Sequence, residues 1–273
     1  ADSYTNDGAI PNLAALKAGW NLFYTPAPTV CSRGTKYGFG VWKGTVNKIV
    51  VDFEGGGACW THTSCSVAGA IFKEDVDKSF ARAKSGYALG IYDKKNPKNP
   101  FKDWHHIFVP YCSGDIHWGN ALTTYKDKNG GAAFKIHHKG AVNTGYVMDW
   151  VYKNFPSPEK VFVTGCSAGS YGSVMWAARM ANKYPKAKIY QFGDSGAGVI
   201  TKNFIKNSFP QWNALPAAPS WIPALDAKKV DLLSKDLASS LLPGRAARCR
   251  PRRRPTRRRR PRCGHRARPR RWG

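Results

Sequence analysis

The stretch VFVTGCSAGSYGSVMWAA, residues 161–178, decides how the rest of the chain is read. An apolar run leads into Gly165-Cys166-Ser167-Ala168-Gly169, and a small-residue helical pattern leads out of it. The G-x-S-x-G spacing is short and recurs by accident, but a strand before it and a helix after it make it a nucleophile elbow. A sharp turn at Ser167 would push its hydroxyl out of the sheet and into a cleft. Small residues at 165 and 169 would let strand and helix approach closely. The N-terminus of the following helix would aim free N–H groups at the same point. The competing reading is a tight glycine turn that carries a surface serine.

Outward from the elbow, the same alternation repeats. The runs KIVVDF (48–53), HIFVPYC (106–112), KVFVTGC (160–166) and KIYQFGD (188–194) are short, rich in β-branched and aromatic residues, and bounded by Gly, Asn or Pro, which predicts buried strands. Helical patterns lie between them at 67–84, 140–155 and 169–184, the last two ended by Pro156 and Pro185. Strand and helix in alternation predict an α/β domain, a mostly parallel sheet with helices on both faces. Ahead of it, residues 20–25 and 37–42 read as strands that pair antiparallel at one sheet edge. FPQWNALPAAPSWIP (209–223) reads as an ordered, lid-like loop, and residues 225–242 as an amphipathic helix with Leu225, Val230, Leu233, Leu237 and Leu241 near one face.

The net charge of +26 over 273 residues is uneven. Residues 244–273 hold 15 Arg and no acid, so only +11 belongs to residues 1–243, where the basic residue is Lys and Arg occurs only at 33, 82 and 179. This predicts two units, a partial hydrolase-like domain at 1–243 and a disordered Arg/Pro-rich tail at 244–273. The tail is built almost wholly of Arg, Pro, Ala, Gly, Cys and Trp, whose codons are rich in G and C. It therefore reads as a frame translated out of register, with a genuine basic arm as the alternative. As an arm, residues 245–271 would bind nucleic acid non-specifically through phosphates. The body has dispersed Lys and no nucleic-acid motif. No run of eighteen apolar residues occurs, so no membrane span is expected, and no signal peptide is visible at the start.

Cys59 and Cys65 bracket a short loop, and Cys31 and Cys112 form a second possible pair; spacing leaves connectivity open. Two disulfides would place the protein in an oxidising compartment, as a secreted protein; five reduced cysteines in a cytosolic enzyme are the alternative.

FEGGGACW (53–60) follows a buried strand with three glycines. Backbone N–H groups there can face a ligand unobstructed, as an oxyanion hole requires, with Gly56 and Gly57 the best donors and Ala168 the third. No G-K-[ST] follows, which argues against a nucleotide loop. In YCSGDIHWGN (111–120), Asp115 and His117 have a spacing that metals use, but without further ligands a loop-bracing role is favoured and no metal is expected. Asp194 in FGDSGAGV (192–199) is a candidate acid or a structural carboxylate. His105-His106 and His137-His138 read as sheet-end and helix-surface residues.

Taken in order, CSRGTKYGFGVWKG, KIVVDFEGGGACW, VPYCSGDIHWGN, VFVTGCSAGSYGS and GDSGAGV resemble the pectin acetylesterase/Notum carboxylesterase family across roughly residues 20–240. The resemblance implies an α/β-hydrolase fold, a Ser–Asp–His triad, no cofactor, and hydrolysis of carboxylic esters such as acetyl groups on pectin. It implies Ser167 as nucleophile, Gly56, Gly57 and Ala168 around the oxyanion, and a family disulfide at Cys59–Cys65. It also marks a departure. The acids after Ser167 are Asp194, Asp226, Asp231 and Asp236, and the one later histidine is His265, inside the Arg-rich tail. The catalytic histidine is therefore unassigned, and the fold is expected to be incomplete at its C-terminus. An esterase-like glycan-binding protein without turnover is the alternative function.

Overall fold

A computed structural model describes residues 10–84, 90–196 and 200–214. The helix expected at 225–242, the rest of the 209–223 stretch, Asp226, Asp231, Asp236, His265, and the Arg-rich tail with its division at 243/244 lie outside the described residues.

The first strands are β1 (Gly19–Tyr24) and β2 (Gly38–Lys43), an antiparallel pair in which Trp20 faces Trp42 and Leu22 faces Gly40. β3 (Val46–Phe53) is the central strand, and its Ile49, Val50 and Val51 are fully buried. A short helix, α1 (His62–Cys65), and α2 (Asp77–Lys84) precede β4 (Trp104–Val109). A separate antiparallel hairpin, β5 (Ala121–Tyr125) with β6 (Phe134–His138), leads to α3 (Gly140–Asn154). Then come β7 (Lys160–Cys166), α4 (Ala168–Lys183), β8 (Lys188–Asp194), α5 (Lys202–Asn207) and α6 (Phe209–Trp212).

The main sheet has six strands in the order β1-β2-β4-β3-β7-β8. β4, β3, β7 and β8 run parallel, and β1 and β2 form the antiparallel edge. Consecutive strands therefore lie side by side only where a hairpin or a crossover helix joins them. β3 has long buried apolar runs on both faces, as a central parallel strand must. α3 ends at Asn154 and α4 at Lys183; their C-caps, Phe155 and Tyr184, each precede a proline, which disfavours helical backbone there. α4 packs on one face of the sheet against β7, β8 and β3; α2 contributes Arg82 and Ala83 on the other, near Phe162 and Thr164. The architecture is the expected α/β-hydrolase-like one, with helices on both faces.

Three local expectations fail. The run 188–194, expected as a buried strand, forms β8 at the edge of the described sheet, paired on one side only, and none of its residues is buried. The helix expected over 67–84 begins only at Asp77, where the Asp75 carboxylate accepts the Asp77 N–H at 3.0 Å. Upstream, tertiary partners take the chain off a helical path: Lys73 pairs with Glu54, Glu74 pairs with Arg33 at 2.8 Å, and Gly69 lies against the Thr63 carbonyl. His137 and His138 are not on a helix surface but in β6, where Phe134, Ile136 and His138 share one side and His138 is fully buried. The periodicity of FKIHH is two, and its polar letters hid it. His105 and His106 do lie near the start of β4, as expected of sheet-end residues.

Disulfides join Cys31 to Cys112 and Cys59 to Cys65. Cys166 is a free, exposed thiol.

Candidate active site

Three parallel strands, β3, β7 and β8, end side by side, with Phe53 opposite Gly165 and Cys166 opposite Asp194. The chain after each of them converges on one spot. Between β7 and α4 sits Ser167, with φ 55° and ψ −119°. A serine at positive φ is strained backbone, retained when the surroundings over-determine it. Here its N–H donates to the Asp194 carbonyl at 2.8 Å, and its own carbonyl accepts from the Ser170 N–H at 2.9 Å. The flanking glycines are required by contact: a Cβ on Gly169 would lie 2.0 Å from the Phe53 carbonyl oxygen, and one on Gly165 would lie 2.3 Å from the Gly169 carbonyl oxygen. The elbow geometry read from residues 161–178 is present.

The glycine loop after β3 lies against this turn. A Cβ on Gly55 would sit 2.1 Å from the Cys166 carbonyl oxygen and 3.1 Å from the Ser167 Cβ. Gly56 and Gly57 have φ of 143° and 77°, values that side chains rarely tolerate. Among the described residues no backbone acceptor engages the N–H of Gly56, Gly57 or Ala168. Free donors at a strand end and a helix start are what a developing oxyanion needs.

Two buried groups hold the loop. The Glu54 carboxylate pairs with Lys73, accepts the Ser79 hydroxyl at 2.7 Å and accepts the Tyr111 N–H at 3.0 Å. On the opposite side of the backbone, His117 Nε2 donates to the Glu54 carbonyl at 2.8 Å. The His117 ring stands edge-on to Phe53, with centroids 5.1 Å apart, and lies 4.7 Å from Tyr111. Burial pulls its pKa down to about 4, outweighing the hydrogen bond to Glu54, so the ring is neutral at pH 7 with its proton on Nε2. Asp115 braces the turn that delivers His117. It accepts the Ser113 hydroxyl at 2.6 Å and the N–H groups of Gly140, Gly119 and His117 at 2.7, 3.1 and 3.2 Å. Burial raises the Asp115 pKa against these four donors. Ile116 and His117, at φ 53° and 65°, are the strained residues this bracing holds. The bracing role expected of Asp115 and His117 is the one the geometry has. The part sequence reading missed is Glu54, whose partners lie 19 to 57 residues away; its one local signal was an acid between a buried strand and three glycines.

Asp194 meets Ser167 through its backbone carbonyl, while its carboxylate accepts the Ser195 hydroxyl at 3.1 Å. Among the described residues no hydrogen bond joins a histidine ring to Ser167 or Asp194: His62 contacts the Ala132 carbonyl, His105 accepts from the Gly44 N–H, His106 contacts Asp52, His138 contacts Tyr125 and Ser113, and His137 lies in β6, outside the elbow. The one grouping of possible metal donors among the described residues is Cys59, Cys65 and His138. Its two sulfurs are bonded to each other, and both ring nitrogens of His138 have protein partners. Beside the elbow lies a cavity of about 450 Å³, walled by Phe162, Phe192, Cys166 and Asp194, with Asp52 and Tyr92 opposite.

Comparison with known proteins shows the family and the fold. The Pectinacetylesterase family model matches residues 21–213. Pectin acetylesterase 7 of Arabidopsis thaliana is 28% identical over 188 residues, covering 67% of this chain and 46% of that protein. Palmitoleoyl-protein carboxylesterase NOTUM of Schmidtea mediterranea is 26% identical over 186 residues, covering 66% of this chain and 29% of that protein. The chain thus spans less than half the length of these curated relatives. The crystal structure of the Wnt deacylase Notum from Drosophila superposes with a TM-score of 0.54 at 18% identity, covering 81% of this chain and 66% of that one, which supports the fold.

Proposed function

Because this chain belongs to the pectinacetylesterase family, we propose that it carries the nucleophile half of a carboxylic-ester hydrolase, with an acetylated polysaccharide such as pectin as substrate. The observation that carries this reading is the backbone of Ser167: a positive-φ serine between strand and helix, walled by glycines that no larger residue can replace.

In this reading the Ser167 hydroxyl attacks the ester carbonyl as a histidine base takes its proton. The oxyanion is held by the N–H groups of Ala168, Gly56 and Gly57. The sugar hydroxyl leaves with the proton from the imidazolium, and water then hydrolyses the acyl-serine by the reverse sequence. Asp194 is the candidate acid at the end of β8, and no described histidine is assigned as the base. The two disulfides favour an oxidising, extracellular compartment. Hydrolysis of p-nitrophenyl acetate, lost by at least roughly 10³-fold in Ser167→Ala, is the expected result.

A second reading rests on the histidine rings. Those of His62, His105, His106, His117 and His138 are turned to structural partners, which favours an esterase-like protein that binds acetylated glycan without turning it over. Binding of acetylated pectin with no hydrolysis, unchanged in Ser167→Ala, selects that reading over the first.

A further inference from the structure

β8 is the last strand of the described sheet and pairs with β7 on one side only. Its burial alternates: Lys188, Tyr190, Phe192 and Asp194 are exposed, and Ile189, Gln191 and Gly193 are partly buried. The second set faces α4, where Gln191 donates to Ser173 at 3.0 Å and a Cβ on Gly193 would lie 2.1 Å from the Ser170 hydroxyl. The first set makes the open side, with Tyr190 and Phe192 at 48% and 58% exposure. An aromatic strand at a sheet edge is a template for a further strand.

The backbone fixes which groups that edge presents. The Lys188 N–H donates to the Glu159 carbonyl at 3.0 Å, and the Asp194 carbonyl accepts from the Ser167 N–H at 2.8 Å. Lys188 and Asp194 therefore turn their backbone groups toward β7. Alternation along a strand turns the N–H and C=O groups of Ile189, Gln191 and Gly193 to the free edge. These three are the residues that an antiparallel neighbour must bond.

The sequence KIYQFGD (188–194) fits itself in that role. A two-fold axis at Gln191 sets Gln191 opposite Gln191 and Ile189 opposite Gly193 of a second copy. All of these have outward backbone groups, which gives about six interchain hydrogen bonds. The same axis sets Tyr190 opposite Phe192 and Lys188 opposite Asp194. Those are non-hydrogen-bonded pairs, the class in which side chains come closest. Aromatic thus meets aromatic and ammonium meets carboxylate, all on the open side. Neither Lys188 nor Asp194 has an ion-pair partner among the described residues. Neighbouring axes fit worse: one at Tyr190 sets Lys188 against Phe192, and one at Phe192 sets Tyr190 against Asp194. An axis between two residues sets outward backbone groups against inward ones and loses the ladder. A lysine on an edge strand ordinarily discourages pairing; here a second copy brings a carboxylate to it.

We propose that β8 pairs antiparallel with β8 of a second copy of this chain about the axis at Gln191, joining the two sheets in a closed dimer. The pairing brings Lys188 of the second copy to Asp194, beside the Ser167 turn.

Sedimentation equilibrium of the full chain tests this, with Cys249→Ser and Cys263→Ser to exclude disulfide-linked species. An ionic strength of about 0.15 M screens the net charge of +26 beyond about 8 Å. A reversible monomer–dimer equilibrium is expected. Lys188→Glu sets like charges together twice in each dimer and raises the dimer Kd about tenfold or more. Adding Asp194→Lys restores both pairs with their signs exchanged and returns Kd to within about threefold of the parent. Gln191→Pro removes an outward N–H that the β7 ladder does not use, so the dimer is lost while far-UV circular dichroism is unchanged. A chain that stays monomeric up to about 100 μM overturns the proposal, as happens if another part of the chain covers β8. So does a dimer indifferent to Lys188→Glu, a double variant that fails to restore pairing, or an open series of oligomers in place of a closed dimer.

Discussion

The two sides of the β7–β8 pair are built to different tolerances. Toward α4, Gly165 and Gly193 face the helix, and a Cβ on Gly193 would fall 2.1 Å from the Ser170 hydroxyl. Gln191 reaches across to donate to Ser173 at 3.0 Å, and the buried side of α4 carries Met175, Ala177, Ala178 and Met180. Backbone meets backbone, so a single methyl group has nowhere to go. On the other side the same strands offer Phe162, Tyr190 and Phe192, large rings with space around them. The difference shows which side must be finished for Ser167 to hold its strained conformation. The elbow depends on the closed side and on the glycine loop, and both are complete within the described residues.

Substitutions can break this contrast. The largest effect is expected at Gly169→Val, where the new side chain meets the Phe53 carbonyl and neither backbone can yield; a loss of about 5 kcal/mol or more, read as a lowered urea midpoint or no folded protein, is expected. Glu54→Ala comes next. It leaves the Lys73 ammonium and the Tyr111 N–H without their buried acceptor, and the expected loss of about 3–5 kcal/mol is measured the same way.

Acid probes the closed side through His117, whose ring touches α4 where a Cβ on Gly172 would lie 2.9 Å from it. The folded protein holds His117 neutral down to about pH 4, whereas the unfolded chain takes up the proton near 6.5. The unfolded state therefore binds more protons between these values. The stabilisation is complete above pH 6.5 and is lost as pH falls to 4, on the order of 3 kcal/mol from this residue. Urea midpoints at pH 7, 5.5 and 4 should fall in that order, and His117→Gln should flatten the trend. The smallest effect is expected at Tyr190→Ser in a chain whose open side is uncovered, within about 0.5 kcal/mol. A loss of about 1.5 kcal/mol or more there would instead mean that the ring is buried against a partner.

How much of this was legible beforehand follows the range of each signal. The strands, α3, α4 and the elbow rest on patterns that fit within a dozen residues: runs of β-branched residues, a 3.6-residue spacing, a proline stop, small residues around Ser167. The absence of a helix over 67–76 was not legible, because it arises from Lys73 and Glu74 reaching Glu54 and Arg33, which lie 19 and 41 residues away. His138 was misplaced for a related reason: a histidine buried between Tyr125 and Ser113 looks like a surface residue until its partners are known.

By itself the sequence determined an α/β chain, the serine at its sharpest turn, and a glycine loop after the central strand, because these depend on local backbone preference and the side-chain period. Only the tertiary structure decided the strand order that brings Phe53, Cys166 and Asp194 together. It alone showed that Glu54 and His117 hold the glycine loop from two sides, and that Asp194 meets Ser167 through its carbonyl. Such contacts join residues far apart in the chain, and which partner satisfies a buried carboxylate or ring nitrogen is settled by packing, where no periodicity records it.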